Sequence, residues 1–162
     1  MEQFLLEKAN LKQVVAPGTD MNAAAITGAR IGLQKGDRVA VLVNMGTSTG
    51  AVVDFSFEQH NAASGGTSKA LEIDNPYYHK AGAATVFTKV QPAAKSDNFD
   101  LSALFAADGG IVAFEILAED LDVNGGFGYV SLNVADSTAA KLIAAVYVLH
   151  KPTYLPAYDQ AI

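Results

Sequence analysis

Asp120, Asp122 and Asn124 stand at alternate positions in the stretch Asp120-Leu-Asp122-Val-Asn124-Gly125, which a glycine closes. That spacing is the first half of an EF-hand loop, where oxygens two residues apart wrap a calcium ion. The complete loop ends in a bidentate glutamate; here that position holds Ser131, and the flanks carry strand rather than helix patterns. The residues therefore read first as an Asp/Asn/Gly turn between strands. The alternative is a calcium site in a β-loop, with Asp120, Asp122 and Asn124 as the metal ligands.

The other groups capable of chemistry are scattered. Gly46–Gly50 (GTSTG) lacks the lysine of a phosphate-binding loop and reads as a hairpin turn. His60, His79 and His150 have no partner at metal-ligand spacing and read as histidines at the surface rim. Serine and threonine are plentiful, but no G-x-S-x-G elbow or His–Asp companion accompanies them. Glu119 and Asp120 would serve a glycosidase only if a second acid faced them across a groove; a solvated loop is the simpler account. Tyr77, Tyr78, Tyr154 and Tyr158 could form an aromatic contact surface for a protein or a glycan. No catalytic residue and no cofactor is assigned.

These groups must be positioned by β-structure. The stretch Gly110–Val134 holds two β-rich segments, Ile111–Leu117 and Phe127–Val134, which read as paired antiparallel strands joined by the acidic connection Ala118–Gly126. Ala51–Gln59 alternates cleanly, with Val53, Phe55 and Phe57 on one face and Asp54, Ser56 and Glu58 on the other. Arg38–Met45 is a nearly continuous apolar run and predicts a strand covered on both faces. Further strands are expected over Met21–Leu33, Lys69–Ile73, Ala84–Gln91 and Lys141–Leu149, and one or two helical turns over Leu101–Ala107. Phe4, Leu5, Leu11 and Val14 lie near helical spacing, so Glu2–Val15 reads as a short amphipathic helix or an arm. Pro152 and Pro156 predict an extended tail.

The pattern is all-β: an antiparallel β-sandwich or barrel, jelly-roll-like, with an N-terminal arm and an extended C-terminal tail. The expected boundaries are residues 1–20 for the arm or helix, 21–150 for the sandwich and 151–162 for the tail. No helical crossover of the length needed by a parallel α/β sheet is present.

Composition narrows the function classes. The chain has 162 residues and a net charge of -6, with its basic residues dispersed, which argues against a nucleic-acid surface. Only 17% of residues are charged, which suits a surface buried against neighbours. The absence of cysteine excludes disulfides, thiolate-bound zinc and thiol catalysis, and fits synthesis in a reducing cytosol. Glu2, Glu7 and Lys8 interrupt the N-terminal apolar positions, so no secretory signal is expected there, and no apolar run is long enough to span a membrane.

Gln59–Leu71 (QHNAASGGTSKAL), Ala118–Ser137 (AEDLDVNGGFGYVSLNVADS) and Ala145–Tyr154 (AVYVLHKPTY) together resemble virion structural proteins of tailed bacteriophages. The group they resemble is the head decoration, cement or auxiliary capsid type, and the likeness runs over residues 38–158. The resemblance implies a non-enzymatic protein of the capsid surface, made in the host bacterial cytoplasm. It also implies binding to the major capsid protein and self-association as a trimer or dimer, with no nucleic-acid or membrane partner. The same likeness extends to head–tail and tail structural proteins. A glycan- or host-surface-binding sandwich is the competing reading, and a hydrolase on the same scaffold comes last.

Overall fold

A computed structural model describes residues 9–34 and 37–150. Within them the chain is an antiparallel β-sandwich of two six-stranded sheets. In chain order the strands are β1 (Ala9–Asp20), β2 (Ile26–Thr27), β3 (Ile31–Gly32), β4 (Arg38–Met45), β5 (Asp54–His60) and β6 (Ser68–Ala70). There follow β7 (Tyr77–Ala81), β8 (Thr88–Val90), β9 (Asn98–Asp100), β10 (Gly110–Leu117), β11 (Tyr129–Val134) and β12 (Leu142–His150). The first sheet runs β1-β12-β4-β10-β7-β8; the second runs β2-β11-β5-β6, with β3 also on β11 and β9 also on β5. One helical turn, α1 (Ser102–Phe105), precedes β10.

The core is the space between the sheets. Alternation puts Val39, Val41, Val43 and Met45 of β4 inside, facing Phe55 and Phe57 of β5 across the sandwich. Phe114 packs edge-on to Phe57 at 5.2 Å between ring centres and lies 5.1 Å from Phe99. Such aromatic contacts contribute roughly 0.5–1.5 kcal/mol each beyond the area they bury.

Several expectations need correction. The segments 111–117 and 127–134 are not a pair: β10 bonds to β4 and β7 in the first sheet, β11 to β5, β2 and β3 in the second. Both edges of each strand are already taken, so residues 118–128 cross between the sheets. Gly46–Gly50 likewise is no hairpin turn, because β4 and β5 belong to different sheets. β4 is buried on one face only; Ala40 and Leu42 on its outer face are half-buried, Arg38 and Asn44 exposed. Small apolar residues outside imitate the continuous run of a doubly covered strand.

Residues 9–15 are strand, not helix. β1 pairs with β12 from Ala9↔His150 to Asp20↔Leu142, and two register shifts between Gln13 and Thr19 absorb the extra residues around Pro17-Gly18. A full ladder outweighs a weak helical period. Met21–Leu33 supplies two two-residue strands rather than one long one, and of Ala84–Gln91 only Thr88–Val90 is strand. The helical turn and the last strand fall where the pattern puts them. The expected tail, with Tyr154 and Tyr158, and residues 1–8 of the arm lie outside the described residues.

Candidate functional site

The acidic connection opens with a 3-10 turn, Ala118–Asp120, that points its two carboxylates apart. Glu119 is exposed. Asp120 Oδ2 accepts from the Leu117 backbone N–H at 2.8 Å and from Asn75 Nδ2 at 2.7 Å. Asp122 Oδ2 takes Lys69 Nζ at 2.6 Å, and its Oδ1 takes the Gly125 N–H at 2.9 Å. The Lys69 bond, followed by the Gly125 N–H, holds the Asp122 carboxyl below its ordinary range. A Cβ on Gly125 would push the exposed Asp122 carboxylate aside. Asn124 is exposed.

The Asp120 and Asp122 oxygens thus bond to donors of the protein itself, as an Asx turn does. Among the described residues no group of three or more His, Asp or Glu converges on a common point. The turn is docked onto the β5–β6 rim. Lys69 also lies 4.5 Å over the Phe127 ring, and the Asp122 N–H donates to Gln59 Oε1 at 2.8 Å. Gln59, Lys69, Glu72, Lys95 and Asp120 line an open polar cleft beside it.

His60 is not a rim residue. It is 2% exposed on the outer face of the second sheet, with Nε2 2.8 Å from the hydroxyl of Ser131, itself fully buried. Arg30 donates to Ala62 O at 2.9 Å and Gly65 O at 2.6 Å, fastening the following loop down beside it. Burial first, then the Arg30 charge, lowers the His60 pKa below its ordinary 6.5, against a smaller opposing effect of Glu58. The pair has the atoms of a nucleophile and a base. It lacks the rest: among the described residues Nδ1 of His60 has no partner to orient it, and Ser131 is fully buried. Its chemistry is that of a lock between β5 and β11. Alternation places His60 and Ser131 on one face, but only the β5–β11 register makes them neighbours.

Lys141 is a second polar group that the apolar run Lys141–Leu149 concealed. It is 1% exposed, and its ammonium donates to the carbonyls of Phe105 at 2.7 Å and Asp108 at 2.9 Å. Burial lowers its pKa, while the Asp108 charge acts the other way. Of the described tyrosines, Tyr77 belongs to the core edge, packed 5.5 Å from Phe114 and 5.9 Å from Phe99, and Tyr78 is exposed. His79 sits 6.3 Å from Phe105, and His150 is exposed at the end of β12.

The architecture defined is a two-sheet antiparallel sandwich whose polar residues serve mainly to fasten loops and sheets. No protein-family model and no curated protein matches the chain. Among solved structures it is similar to the SPBc2 prophage-derived protein YomS, at 12% identity over 86% of this chain and 92% of that one, with a TM-score of 0.37. It is also similar to a chain of infectious bursal disease virus, Gt strain, at 12% identity over 89% of this chain and 41% of that one, TM-score 0.28. At such scores neither strand order nor function carries over.

Proposed function

We propose that the chain is a non-enzymatic structural protein of a bacteriophage virion, which binds the capsid shell and stabilises it as a decoration or cement protein. The observation that supports this reading is where the sequence resemblance falls in the fold. Gln59–Leu71 and Ala118–Ser137, distant in sequence, form one rim: Lys69 bonds Asp122, Gln59 accepts from the Asp122 N–H, and His60 O accepts from the Gly128 N–H. The shared phrases are thus a single docked surface feature rather than isolated turns. Asp120 and Asp122 are bonded within the protein, and the histidine–serine pair is buried away from solvent.

The proposed partners are the major capsid protein and other copies of the chain, and the proposed location is the outer capsid surface. The test is co-sedimentation of purified protein with shells that lack it, followed by heating of the decorated shells. Saturable binding and a higher disruption temperature are expected. Failure to bind intact shells, with binding to isolated tails or head–tail connectors, would move the protein to those positions. The polar cleft at Gln59, Lys69, Glu72, Lys95 and Asp120 favours a second reading, a glycan- or host-surface-binding module. Retention on a glycan array, lost on Lys95→Glu, would support it.

A further inference from the structure

We infer that the outer face of the first sheet is a two-fold interface with a second copy of this chain; the inference deepens the self-association in the proposed function and rests on it. In an antiparallel pair, residues opposite each other share a face, so the register lists what this surface presents. One row across the sheet reads Leu11, Val148, Ala40, Glu115. The next reads Gln13, Val146, Leu42, Ala113, Tyr78, Lys89. The third reads Ala144, Asn44, Ile111, Lys80. Leu11 is 53% exposed, Tyr78 41%, and Val146 and Ile111 36% each.

The outer face of the second sheet is polar by contrast, although His60 and Ser131 on it are buried. Its β5 presents Asp54, Ser56, Glu58 and His60 outward, and its β11 presents Ser131 and Asn133. The polar face is therefore the second sheet's, and the apolar face of the first is a departure from the chain's own pattern.

Area and charge select the occupant. Five strands at about 4.8 Å spacing and eight residues at about 3.4 Å rise cover roughly 650 Å². Two such faces in contact bury about 1,300 Å², within the range of roughly 1,200–2,000 Å² of stable specific interfaces. A chain of net charge -6 repels its copies least where a surface is uncharged. The middle of this face carries no ionised group; Lys80 and Lys89 lie toward its β7–β8 edge, and Arg38 and Glu115 at its margin pair with each other at 3.4 Å. Leu42, Val146 and Val148 stand beside Ala40, Ala113 and Ala144, so a second copy turned about a two-fold axis can set its large side chains over the small ones. Packed sheets adopt this arrangement at about 10 Å separation.

The test is the solution mass by light scattering of the whole chain, with Val146→Glu and Leu42→Glu made separately and Thr138→Glu, on an exposed loop, as the charge control. The wild type and T138E are expected at twice the chain mass. V146E and L42E are expected at half that value, with urea midpoints like the wild type's showing that they remain folded. A wild type that stays monomeric at high concentration overturns the inference, as does a trimer, or a dimer untouched by both substitutions. Shell binding is scored separately: a V146E-sensitive dimer that fails to bind shells keeps this interface and removes the decoration role.

Discussion

The phenolic oxygen of Tyr147 lies 2.8 Å from the backbone nitrogen of Leu132 and accepts its hydrogen, so a side chain of one sheet completes the main-chain bonding of the other. The bond falls at the gap between β2 and β3. There the Leu132 carbonyl takes the Gly28 N–H at 2.7 Å. A Cβ on Gly28 would meet that carbonyl oxygen at 2.7 Å, so glycine lets the chain approach this closely. Burial holds the tyrosine hydroxyl well above its ordinary pKa, and it stays protonated.

Tyr147→Phe removes the acceptor and keeps the ring. The Leu132 N–H is then buried without a partner, at a cost of about 1–3 kcal/mol. The expected result is a lower urea midpoint with an unchanged slope. A midpoint equal to the wild type's would mean that water or a backbone shift replaces the hydroxyl.

Lys141→Met should be destabilising although it removes a buried charge. The carbonyls of Phe105 and Asp108 both lose their donor, at roughly 1–3 kcal/mol for each. Part of that loss is offset because an ammonium no longer has to be desolvated. Hydrogen exchange should show the segment around α1 losing protection before the rest of the molecule. Uniform loss across both sheets would contradict a local tether.

The buried imidazole of His60 predicts a particular pH dependence. Its pKa is lowered on folding, so the unfolded chain binds the extra proton first as pH falls. Its contribution is fully present above the ordinary value of 6.5 and is lost progressively below it. His60→Gln, which can still bond Ser131, should narrow the fall in urea midpoint between pH 7 and pH 5. Parallel curves for the two proteins would show that the proton goes elsewhere.

For the acidic turn, chelator should leave the melting temperature unchanged, because Asp120 and Asp122 already bond to Asn75, Lys69 and backbone N–H groups. A rise on adding calcium, abolished by Asp122→Asn, would restore the metal reading.

How much of this was legible in the sequence depends on the range over which each feature is determined. Val53, Phe55 and Phe57 declare their face locally, since alternation is a property of one strand, and the all-β class follows from repeating it. Pairing is not local: nothing in residues 111–134 distinguishes a hairpin from two strands that part company across a core. His60 and Lys141 were concealed for the same reason. Burial of a polar group is decided by the acceptor it meets, and Ser131 and Phe105 lie far away in the chain.

Ala9 and His150 are cross-strand neighbours on β1 and β12. The described fold therefore opens and closes at a single corner of the first sheet. Joining the two ends with a short linker and cutting instead at an exposed loop, such as Ala93–Lys95, would give a circular permutant with every strand pairing kept. The sandwich is in this sense a scaffold whose first and last described strands meet at one corner.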